Sequence, residues 1–422
     1  MQYKPRIVDA KVKEYLSAFG ALLIEGPKWC GKTMASSRHC KSLFNLGDPA
    51  GNFNNRTLAR TDISFVLKGE TPRLIDEWQE VPSIWDAVRM EVDKSKLKGQ
   101  YILTGSATPN RKGILHSGAG RIGRLKMRPM SLFESGDSSG QVSLEALCNG
   151  HMENILVYDH VLMDIIELIV RGGWPANIGL AAKQAARVSH DYIQAVIEDD
   201  VLSIDGIKRD TSKMLLLLKS LARNESTTAT VSTLSRDLEE VDGAGLYRET
   251  VSEYLDIFKR LFLTDNIPPF SSKLRSPAKL RKAEKRRFID PSLACALLRA
   301  TPDKLLQDLN TLGFLFESLC LRDLQIYAES FGAQLYHYQD YGNNEFDAVV
   351  ELDNGEWCAF KVKLGANQID EAAKKMLDIQ KKLQVKDGAK TPKVLCVICG
   401  LSKAAYQRKD GVFVVPITAL KN

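Results

Sequence analysis

The sequence predicts an α/β protein with three successive parts: a domain with a parallel sheet, a helical middle region and a mixed α/β C-terminal domain. Up to about residue 150, short apolar runs typical of strands buried on both faces alternate with helical patterns. From about 151 the apolar spacing becomes helical, and after 291 helices and strands alternate again. A length of 422 residues, at about 150 per domain, also favours roughly three domains. The predicted boundaries are therefore 1–150, 151–290 and 291–422.

The composition is that of a folded chain, with 44% hydrophobic and 26% charged residues, and it excludes extensive disorder. No apolar run approaches the roughly 18 residues that a membrane-spanning helix needs, so we expect no membrane partner. The N-terminus has no apolar core of a secretory signal. Eight scattered cysteines favour a reducing compartment, and we expect a cytoplasmic protein. Cys396 and Cys399, within an apolar run, are expected to be buried strand residues rather than a redox or zinc pair.

Positive charge is concentrated in one segment. The net charge is +6, but residues 271–288 carry eight basic side chains and one acid, so the rest of the chain is close to neutral. One hypothesis is that segment 273–287 contacts the phosphates of DNA or RNA. Eight contacts would make log K fall with log salt at a slope of about −7. The alternative is a solvated surface that offsets acids such as those at 198–200.

A phosphate-binding loop is predicted after the first apolar run, ALLIE at 21–25. The next eight residues, GPKWCGKT, match G-x-x-x-x-G-K-[ST]. Glycines allow backbone N–H groups to turn toward phosphates, Lys32 places a charge on the β/γ oxygens, and Thr33 is positioned to bind Mg²⁺. A helix beginning at Lys32 adds the positive end of its dipole. The predicted binding residues for ATP or GTP are Gly26, Pro27, Lys28, Trp29, Cys30, Gly31, Lys32 and Thr33.

Two further apolar runs end in polar residues that suit nucleotide hydrolysis. PRLID at 72–76 places Asp76 at a strand end, where it would hold Mg²⁺, and Glu77 next to it would polarise the attacking water. YILTGSA at 101–107 places Thr104 and Ser106 at another strand end, and Ser106 would sense the γ-phosphate or orient the water. The alternatives are a solvated acidic loop and a plain strand-to-loop turn.

The run GAGRIGRLKMRP at 118–129 supplies candidate arginine fingers. Arg121, Arg124 and Arg128 follow a glycine-containing loop, and a guanidinium on the transferring phosphoryl group greatly accelerates hydrolysis. The alternative is a basic surface loop. Beyond it, ESGDSSGQ at 134–141 is rich in glycine and serine and is predicted to be a linker or surface loop.

The middle region is predicted to contain amphipathic helices followed by a winged helix-turn-helix. TVSTLSRDLEEV (230–241) and LYRETVSEYLDIFKRLFLTDNI (246–267) have apolar residues near helical spacing, and an extended stretch follows before the basic segment. After 291 the predicted elements are a helix at 311–328, a strand pair at 346–363, a helix at 368–385 and a strand near 394–398.

Taken together, GPKWCGKT, LIDEWQ, LTGSA and GRIGRLKMRPMSLFESG resemble the AAA-type ATP-binding proteins of bacteria and archaea that carry a C-terminal domain of unknown function. The resemblance covers essentially the whole chain, including RGGWP, KSLARN, RFIDPSLA and GFLFESL. It implies a P-loop NTPase core, a winged-helix middle and a restriction-endonuclease-like C-terminal domain.

Endonuclease-like domains use an acid from a helix, an Asp at a strand end and Glu-x-Lys on the next strand. Glu317 and Asp347 match the first two positions, but the third reads Lys361-Val362-Lys363. The hairpin loop at 353–355 places Asp347 opposite Lys361, with β-carbons about 5 Å apart, so an ion pair is expected in place of two metal ligands. We predict a degenerate site of Glu317, Asp347, Lys361 and Lys363 without catalytic Mg²⁺. A compensating role for Glu351, on the same face, is the alternative.

The resulting functional expectation is an Mg²⁺-dependent ATPase that couples nucleotide state to a winged-helix and nuclease-like scaffold, in contact with nucleic acid. The alternatives are a nucleotide-gated regulatory or interaction protein with negligible turnover, and a DNA-binding regulator. Arginines acting in trans would require a homo-oligomer.

Overall fold

The computed structural model describes residues 3–106, 114–242, 247–272, 282–340, 342, 344–385 and 390–422. The chain forms two compact units. The first comprises Met1–Pro129, Glu198–Arg209 and Asp256–Leu263, and the second comprises Met130–Ile197, Asp210–Leu255 and Thr264–Asn422. The first break therefore falls at 129 rather than at 150. The second unit also combines most of the two regions that we predicted as separate middle and C-terminal domains.

Helices and strands are numbered in chain order. The helices are α1 (Val8–Ala18), α2 (Lys32–Ser37), α3 (Ala50–Thr61), α4 (Ser64–Leu67), α5 (Ile84–Ser95), α6 (Leu132–Ser135), α7 (Leu144–Cys148), α8 (Leu162–Arg171), α9 (Ala182–Ala195), α10 (Val201–Asp205), α11 (Thr211–Arg223), α12 (Val231–Asp242), α13 (Arg248–Arg260), α14 (Pro291–Leu298), α15 (Pro302–Gln307), α16 (Leu309–Ser330) and α17 (Ile369–Val385). The strands are β1 (Ala21–Glu25), β2 (Ser42–Asn45), β3 (Arg73–Asp76), β4 (Tyr101–Gly105), β5 (Ile122–Lys126), β6 (Val142–Ser143), β7 (Ile155–Leu156), β8 (Gln334–Gln339), β9 (Glu345–Glu351), β10 (Trp357–Lys363), β11 (Val394–Cys399), β12 (Ala404–Gln407), β13 (Phe413–Pro416) and β14 (Leu420–Lys421).

A five-stranded parallel sheet in the order β2-β3-β4-β1-β5 forms the centre of the first unit. The apolar runs that predicted β1, β3 and β4 are buried almost completely, as strands covered on both faces require. Trp78 and Trp85 pack into the core on one side of the sheet, with ring centroids 5.1 Å apart. The predicted parallel α/β domain is thus confirmed.

The second unit contains a seven-stranded mixed sheet in the order β7-β12-β13-β11-β10-β9-β8. β10, β11 and β13 are parallel neighbours, while the pairs toward both edges are antiparallel. The helices, strand pair and strand predicted after 291 correspond to α16, α17, β9, β10 and β11, within two residues at each boundary. Cys396 and Cys399 are buried in β11, as expected for strand residues.

The end of the middle region has the order of elements that the sequence predicted. Helices α11, α12 and α13 are followed by two antiparallel bridges, Thr264 with Phe288 and Ile267 with Lys285. Helix α13 ends at Arg260, earlier than the apolar pattern extends. The winged-helix assignment itself stays a prediction. No described helix is long and apolar enough to span a membrane.

The segment 134–141, predicted as a linker or surface loop, is exposed at Gly136, Ser139 and Gln141, but several of its other residues are buried, so it is not a free linker. Ser131 caps helix α6 in a capping box with Glu134, and Ser138 Oγ donates to Leu420 O at 2.6 Å. Strand β6 then pairs in parallel with β14 near the C-terminal end of the chain. The glycine content reflects close packing, because a Cβ on Gly140 would lie 2.4 Å from Phe133.

A buried ion network joins several of the motifs in the second unit. Arg322 donates from Nη1 to Asp290 and from Nε to Asp323, both at 2.8 Å, and all three side chains are buried. Asp290 also accepts the Gly173 N–H at 3.0 Å, and Asp323 accepts the Leu132 N–H at 2.9 Å. Each carboxylate therefore neutralises the guanidinium and satisfies a backbone donor that has no access to water.

Removal of the Arg322 charge should destabilise this unit strongly, because two buried carboxylates would lose their counterion. For Arg322→Met we expect the free energy of unfolding to fall by about 3–5 kcal/mol. The control is Arg223→Met, since Arg223 forms an ion pair with Asp237 while its side chain is 67% exposed, and a loss below about 1 kcal/mol is expected there. Urea unfolding of the full chain measures both, and equal losses would contradict a special role for the network.

Candidate nucleotide-binding site

The predicted phosphate loop connects the end of β1 to the start of α2. Gly31 has φ +97°, a left-handed conformation that glycine adopts without strain, and it immediately precedes the helix. Gly26 must be small for a different reason, since a Cβ there would lie 2.1 Å from Met127 O. Both glycines of the motif are therefore required by the local geometry.

Lys32 lies inside the curve of this loop. Its Nζ donates to Gly26 O at 2.9 Å and to Pro27 O at 2.8 Å, and the residue is buried. The first N–H groups of α2 have no acceptor within the helix and carry the positive end of its dipole. The loop thus combines a lysine ammonium with backbone donors, which together suit an anionic phosphate.

Asp76 brings the loop together with two neighbouring strands. The order β3-β4-β1 places the carboxyl ends of these strands side by side. Thr33 Oγ1 donates to Asp76 Oδ1 at 3.0 Å, and Thr104 Oγ1 also donates to Oδ1. A hydroxyl and a carboxylate are hard oxygen ligands of the kind that Mg²⁺ takes, so Thr33 and Asp76 fit the metal role that the sequence predicted.

Glu77 and Ser106 meet at the same edge of the sheet. Glu77 has φ +57°, which is uncommon for a residue other than glycine. Its Oε2 accepts from Ser106 Oγ at 3.3 Å and from the Gln79 side-chain amide. Gln79 was missed in the sequence analysis, although it forms part of the LIDEWQ motif. The structure therefore brings together Lys32, Thr33, Asp76, Glu77 and Ser106.

The structure places two of the predicted arginine fingers, Arg121 and Arg124, away from this group. Strand β5 runs parallel to β1, so Arg121, which precedes it, lies at the opposite edge of the sheet, where its O accepts from Ala21 N–H at 3.1 Å. The Arg121 side chain pairs with Asp93 at 2.8 Å. Arg124 lies beside Leu23 in mid-strand, with its guanidinium 5.2 Å from the Trp85 ring centroid. Arg128 is buried just after β5, at the edge of the sheet that carries the phosphate loop, and its O accepts from Arg6 Nη2 at 2.8 Å.

The variable residues of the loop have distinct surroundings. Lys28 forms an ion pair with Asp200 at 2.5 Å, and Asp200 comes from the Glu198–Arg209 segment of the same unit. Trp29 is exposed and has φ +66°. Cys30 is buried, and its O accepts from Arg6 Nη1 at 2.8 Å. No local spacing signalled Asp200 or Arg6, because both lie far from the loop in sequence.

The predicted degenerate site lies in the second unit, and its ion pair is present. The β9–β10 register continues to Asp347 opposite Lys361. Lys361 Nζ contacts Asp347 Oδ1 at 2.8 Å and Glu345 Oε1 at 2.9 Å, and Val362 N–H donates to Asp347 Oδ2 at 2.7 Å. Burial disfavours the ammonium, but the two carboxylates raise the pKa of Lys361 to about 12. The expected ion pair is thus present, one position beyond the last registered pair, Ala348 with Phe360, while the lack of a catalytic Mg²⁺ stays a prediction.

A second lysine, missed in the sequence analysis as part of this cluster, reaches it from the basic segment. Lys285 is buried and contacts Glu317 Oε1 at 2.5 Å, and its Nζ lies 3.4 Å from Asp347 O. Burial opposes its charge, but Glu317 and Asp347 raise the pKa of Lys285. Lys363 lines an adjacent cavity of about 340 Å³ and takes no part in these ion pairs. Among the described residues, no group of three or more His, Cys, Asp or Glu could hold a metal ion.

The basic segment is engaged within the second unit wherever it is described. Arg287 is buried and donates to Asp265 at 2.8 Å, and Arg286 donates from Nε to Ala229 O at 3.0 Å. Lys282 donates to Gln339 O. Residues 273–281, with the other four basic side chains, lie outside the described residues. Lys285 and Arg287 therefore form ion pairs with protein carboxylates and are not part of an exposed surface that could contact phosphates.

Three protein-family models match successive parts of the chain. An AAA domain matches residues 18–135, which include the phosphate loop, Asp76 and Ser106. Two domains of unknown function, DUF8612 and DUF4143, match residues 162–304 and 312–420. The AAA match supports a P-loop ATPase domain in the N-terminal region.

The chain is also similar to individual proteins. Uncharacterised proteins of Mycobacterium tuberculosis and Mycobacterium bovis are each 23% identical to it over 372 residues, which is 86% of this chain and 74% of theirs. Among solved structures, the Walker-type ATPase of Pyrococcus abyssi is 13% identical, with a TM-score of 0.42 over 69% of this chain and 94% of that one.

The Asp347–Lys361 pair predicts a change in metal affinity when the lysine is replaced by an acid. Lys361→Glu places a carboxylate opposite Asp347, so the variant should lose thermal stability without metal and recover it with Mn²⁺. At a hundredfold excess over Kd, Mn²⁺ should raise its Tm by roughly 5 °C, with no such rise in the native protein. Lys363→Glu is the matched control, because Lys363 forms no ion pair with Asp347. A Mn²⁺ response of the native protein that Asp347→Ala removes would contradict the assignment.

Proposed function

We propose that the protein binds ATP with Mg²⁺ at the phosphate loop of the first unit and hydrolyses it. The observation that carries the proposal is the convergence of Lys32, Thr33 and Asp76 at the carboxyl edge of a parallel sheet. Thr33 donates to Asp76, while Lys32 donates to two carbonyls of the phosphate loop. These are the parts that recur in P-loop phosphoryl-transfer sites. The expectation that ATP is preferred to GTP rests on the resemblance stated above.

Each residue has a defined task in this proposal. The Lys32 ammonium and the N-terminal N–H groups of α2 bind the phosphate oxygens. Thr33 and Asp76 would hold Mg²⁺, which supplies charge neutralisation to the phosphoryl group. Glu77 accepts a proton from the attacking water, whose oxygen replaces the bridging oxygen on the terminal phosphorus and releases ADP and phosphate. Ser106 and Gln79 both donate to Oε2 of Glu77, which orients the carboxylate.

A second candidate function, a nucleotide-gated switch with negligible turnover, is favoured by the position of the arginines. Arg121 and Arg124 lie at the start and middle of β5, away from the edge that carries Lys32. An arginine finger contributes about 10³–10⁵ in rate to hydrolysis of this kind. Unless Arg128, which follows β5 at that edge, or a second copy supplied the guanidinium, the chain would bind ATP and turn it over slowly.

Two substitutions separate ATP binding from ATP turnover. Lys32→Ala removes a phosphate ligand and should weaken ATP binding at least tenfold and abolish hydrolysis. Glu77→Gln keeps the shape of the site but not the base, so ATP affinity should change little while turnover falls about 10²–10⁴-fold. Equilibrium binding and single-turnover hydrolysis measure the two effects, with Lys94→Ala on exposed α5 as control.

Unchanged hydrolysis in Lys32→Ala would refute the ATPase assignment. Tight ATP binding by the native protein, with no single turnover at any protein concentration, would favour the switch. A specific activity that rises with protein concentration, and loses this rise in Arg121→Ala, would instead identify Arg121 as a finger acting between copies.

The remaining part of the proposal is contact with DNA or RNA through the basic segment. Because Lys285 and Arg287 are buried, fewer than eight phosphate contacts are expected. Lys285 and Arg287 are held in ion pairs, and Lys282 and Arg286 donate to backbone carbonyls, so at most four of the eight basic side chains would contact phosphates. The slope of log K against log salt should then be roughly −4 rather than −7. Charge reversal at Lys279 and Arg281 should reduce it by about 2, and reversal at Lys94 should not. Binding that is tight but insensitive to the first pair would exclude this segment as the contact surface.

A further inference from the structure

Arg6 reaches the phosphate loop from the segment that precedes α1. Its side chain is buried, Nη1 donates to Cys30 O and Nη2 donates to Arg128 O, both at 2.8 Å. A planar guanidinium can hold two acceptors in a fixed relation, which a flexible ammonium cannot do. One side chain therefore fastens the loop to the segment that follows β5.

The backbone of Arg6 is itself held in place. Asp9, in the first turn of α1, accepts the Arg6 N–H at 2.8 Å and the Tyr3 hydroxyl at 2.7 Å. His39, which follows α2, lies 2.9 Å from the same carboxylate. These contacts fix the backbone position of Arg6, and none of them involves a residue of the phosphate loop.

The contact with Cys30 determines the direction of a donor on the other side of the same peptide group. The Cys30 C=O and the Gly31 N–H belong to one planar trans peptide, so they point in opposite directions. Because Arg6 holds the carbonyl oxygen, the Gly31 N–H is directed away from Arg6. It meets no backbone acceptor among the described residues, and Gly31 lies in the loop to which the proposed function assigns the phosphates.

We propose that Arg6 is a positioning residue for phosphate recognition. By holding the Cys30 carbonyl, it aims the Gly31 N–H at a phosphate oxygen of a bound nucleoside diphosphate or triphosphate. The inference rests on the proposed function, because it needs a nucleotide at the loop. It adds a residue outside the motif, twenty positions before its first glycine, whose effect passes through one backbone donor.

Selective isotope labelling isolates that donor. Only Cys30–Gly31 and Cys399–Gly400 are Cys–Gly pairs in this sequence, so protein labelled with ¹³C-carbonyl cysteine and ¹⁵N-glycine gives two amide signals in a carbonyl-filtered spectrum. In the native protein, ADP should move the Gly31 signal strongly downfield, as a new hydrogen bond to a charged oxygen does, while Gly400 serves as the internal reference. In Arg6→Met the Gly31 shift should be largely lost.

Affinity provides the second measurement. Loss of one well-aimed donor to a charged phosphate should weaken ADP binding by about tenfold, whereas adenosine, which has no phosphate, should bind equally to both proteins. Tyr3→Phe is the matched control, because it removes a hydroxyl that holds Asp9 and leaves the guanidinium contacts in place. It should behave like the native protein. If Arg6→Met does not fold, Arg6→Lys replaces it, with the same reduced shift expected because lysine lacks the planar fork.

The outcomes separate this inference from the function on which it rests. Failure of the native protein to bind ATP or ADP would refute the proposed function. ADP binding without movement of the Gly31 signal, or with equal movement in Arg6→Met, would overturn the role of Arg6 alone. Equal losses in Tyr3→Phe and Arg6→Met, or an equal loss of adenosine affinity, would show that Arg6 only holds the N-terminal segment.

Discussion

The candidate site of the first unit depends on the carboxylate of Asp76, because it accepts hydrogen bonds from hydroxyl groups on two neighbouring elements. Thr33 lies in the first turn of α2, and Thr104 lies next to the last residue of β4. Parallel strands place their carboxyl ends on one edge, and the order β3-β4-β1 makes the three ends adjacent. Arg121 precedes β5, which runs parallel to β1, so Arg121 lies at the opposite edge of the sheet from Asp76. Strand direction thus decides which polar residues of this domain can act together.

The second unit contains buried carboxylates whose charge is balanced by lysine and arginine side chains. Its buried carboxylates are neutralised by side chains: Asp347 by Lys361, Glu317 by Lys285, and Asp290 with Asp323 by Arg322. A divalent metal ion would place two positive charges between Glu317 and Asp347. Here Lys285 and Lys361 each place one charge beside one of these carboxylates. These contacts join the elements that carry the charged residues, and they engage part of the positive charge of the basic segment.

The sequence predicted the features that depend on short-range rules. The phosphate loop follows from an eight-residue motif that joins a strand to the start of a helix, and Asp347–Lys361 follows from a tight hairpin whose loop length determines the register. Contacts over long sequence separations could not be predicted in this way, as Arg6, Asp200 and Lys285 show. At 134–141 composition indicated only the exposed part of the loop, and the close packing at Gly140 could not be predicted from it. Charge in the basic segment could be counted, but its burial depends on partners such as Asp265.

The pairing of Lys28 with Asp200 has a consequence for how this ATPase domain could be inherited. A residue inside the phosphate loop is neutralised by a carboxylate 172 positions later, and the compact unit includes Glu198–Arg209 and Asp256–Leu263. A gene fragment that ended near residue 130 would encode the whole sheet but leave the loop without this counterion. Recombination that moved the N-terminal region alone into another protein would separate the pair. Selection on the loop and on the distant segment is thereby linked, and the two should change together during descent.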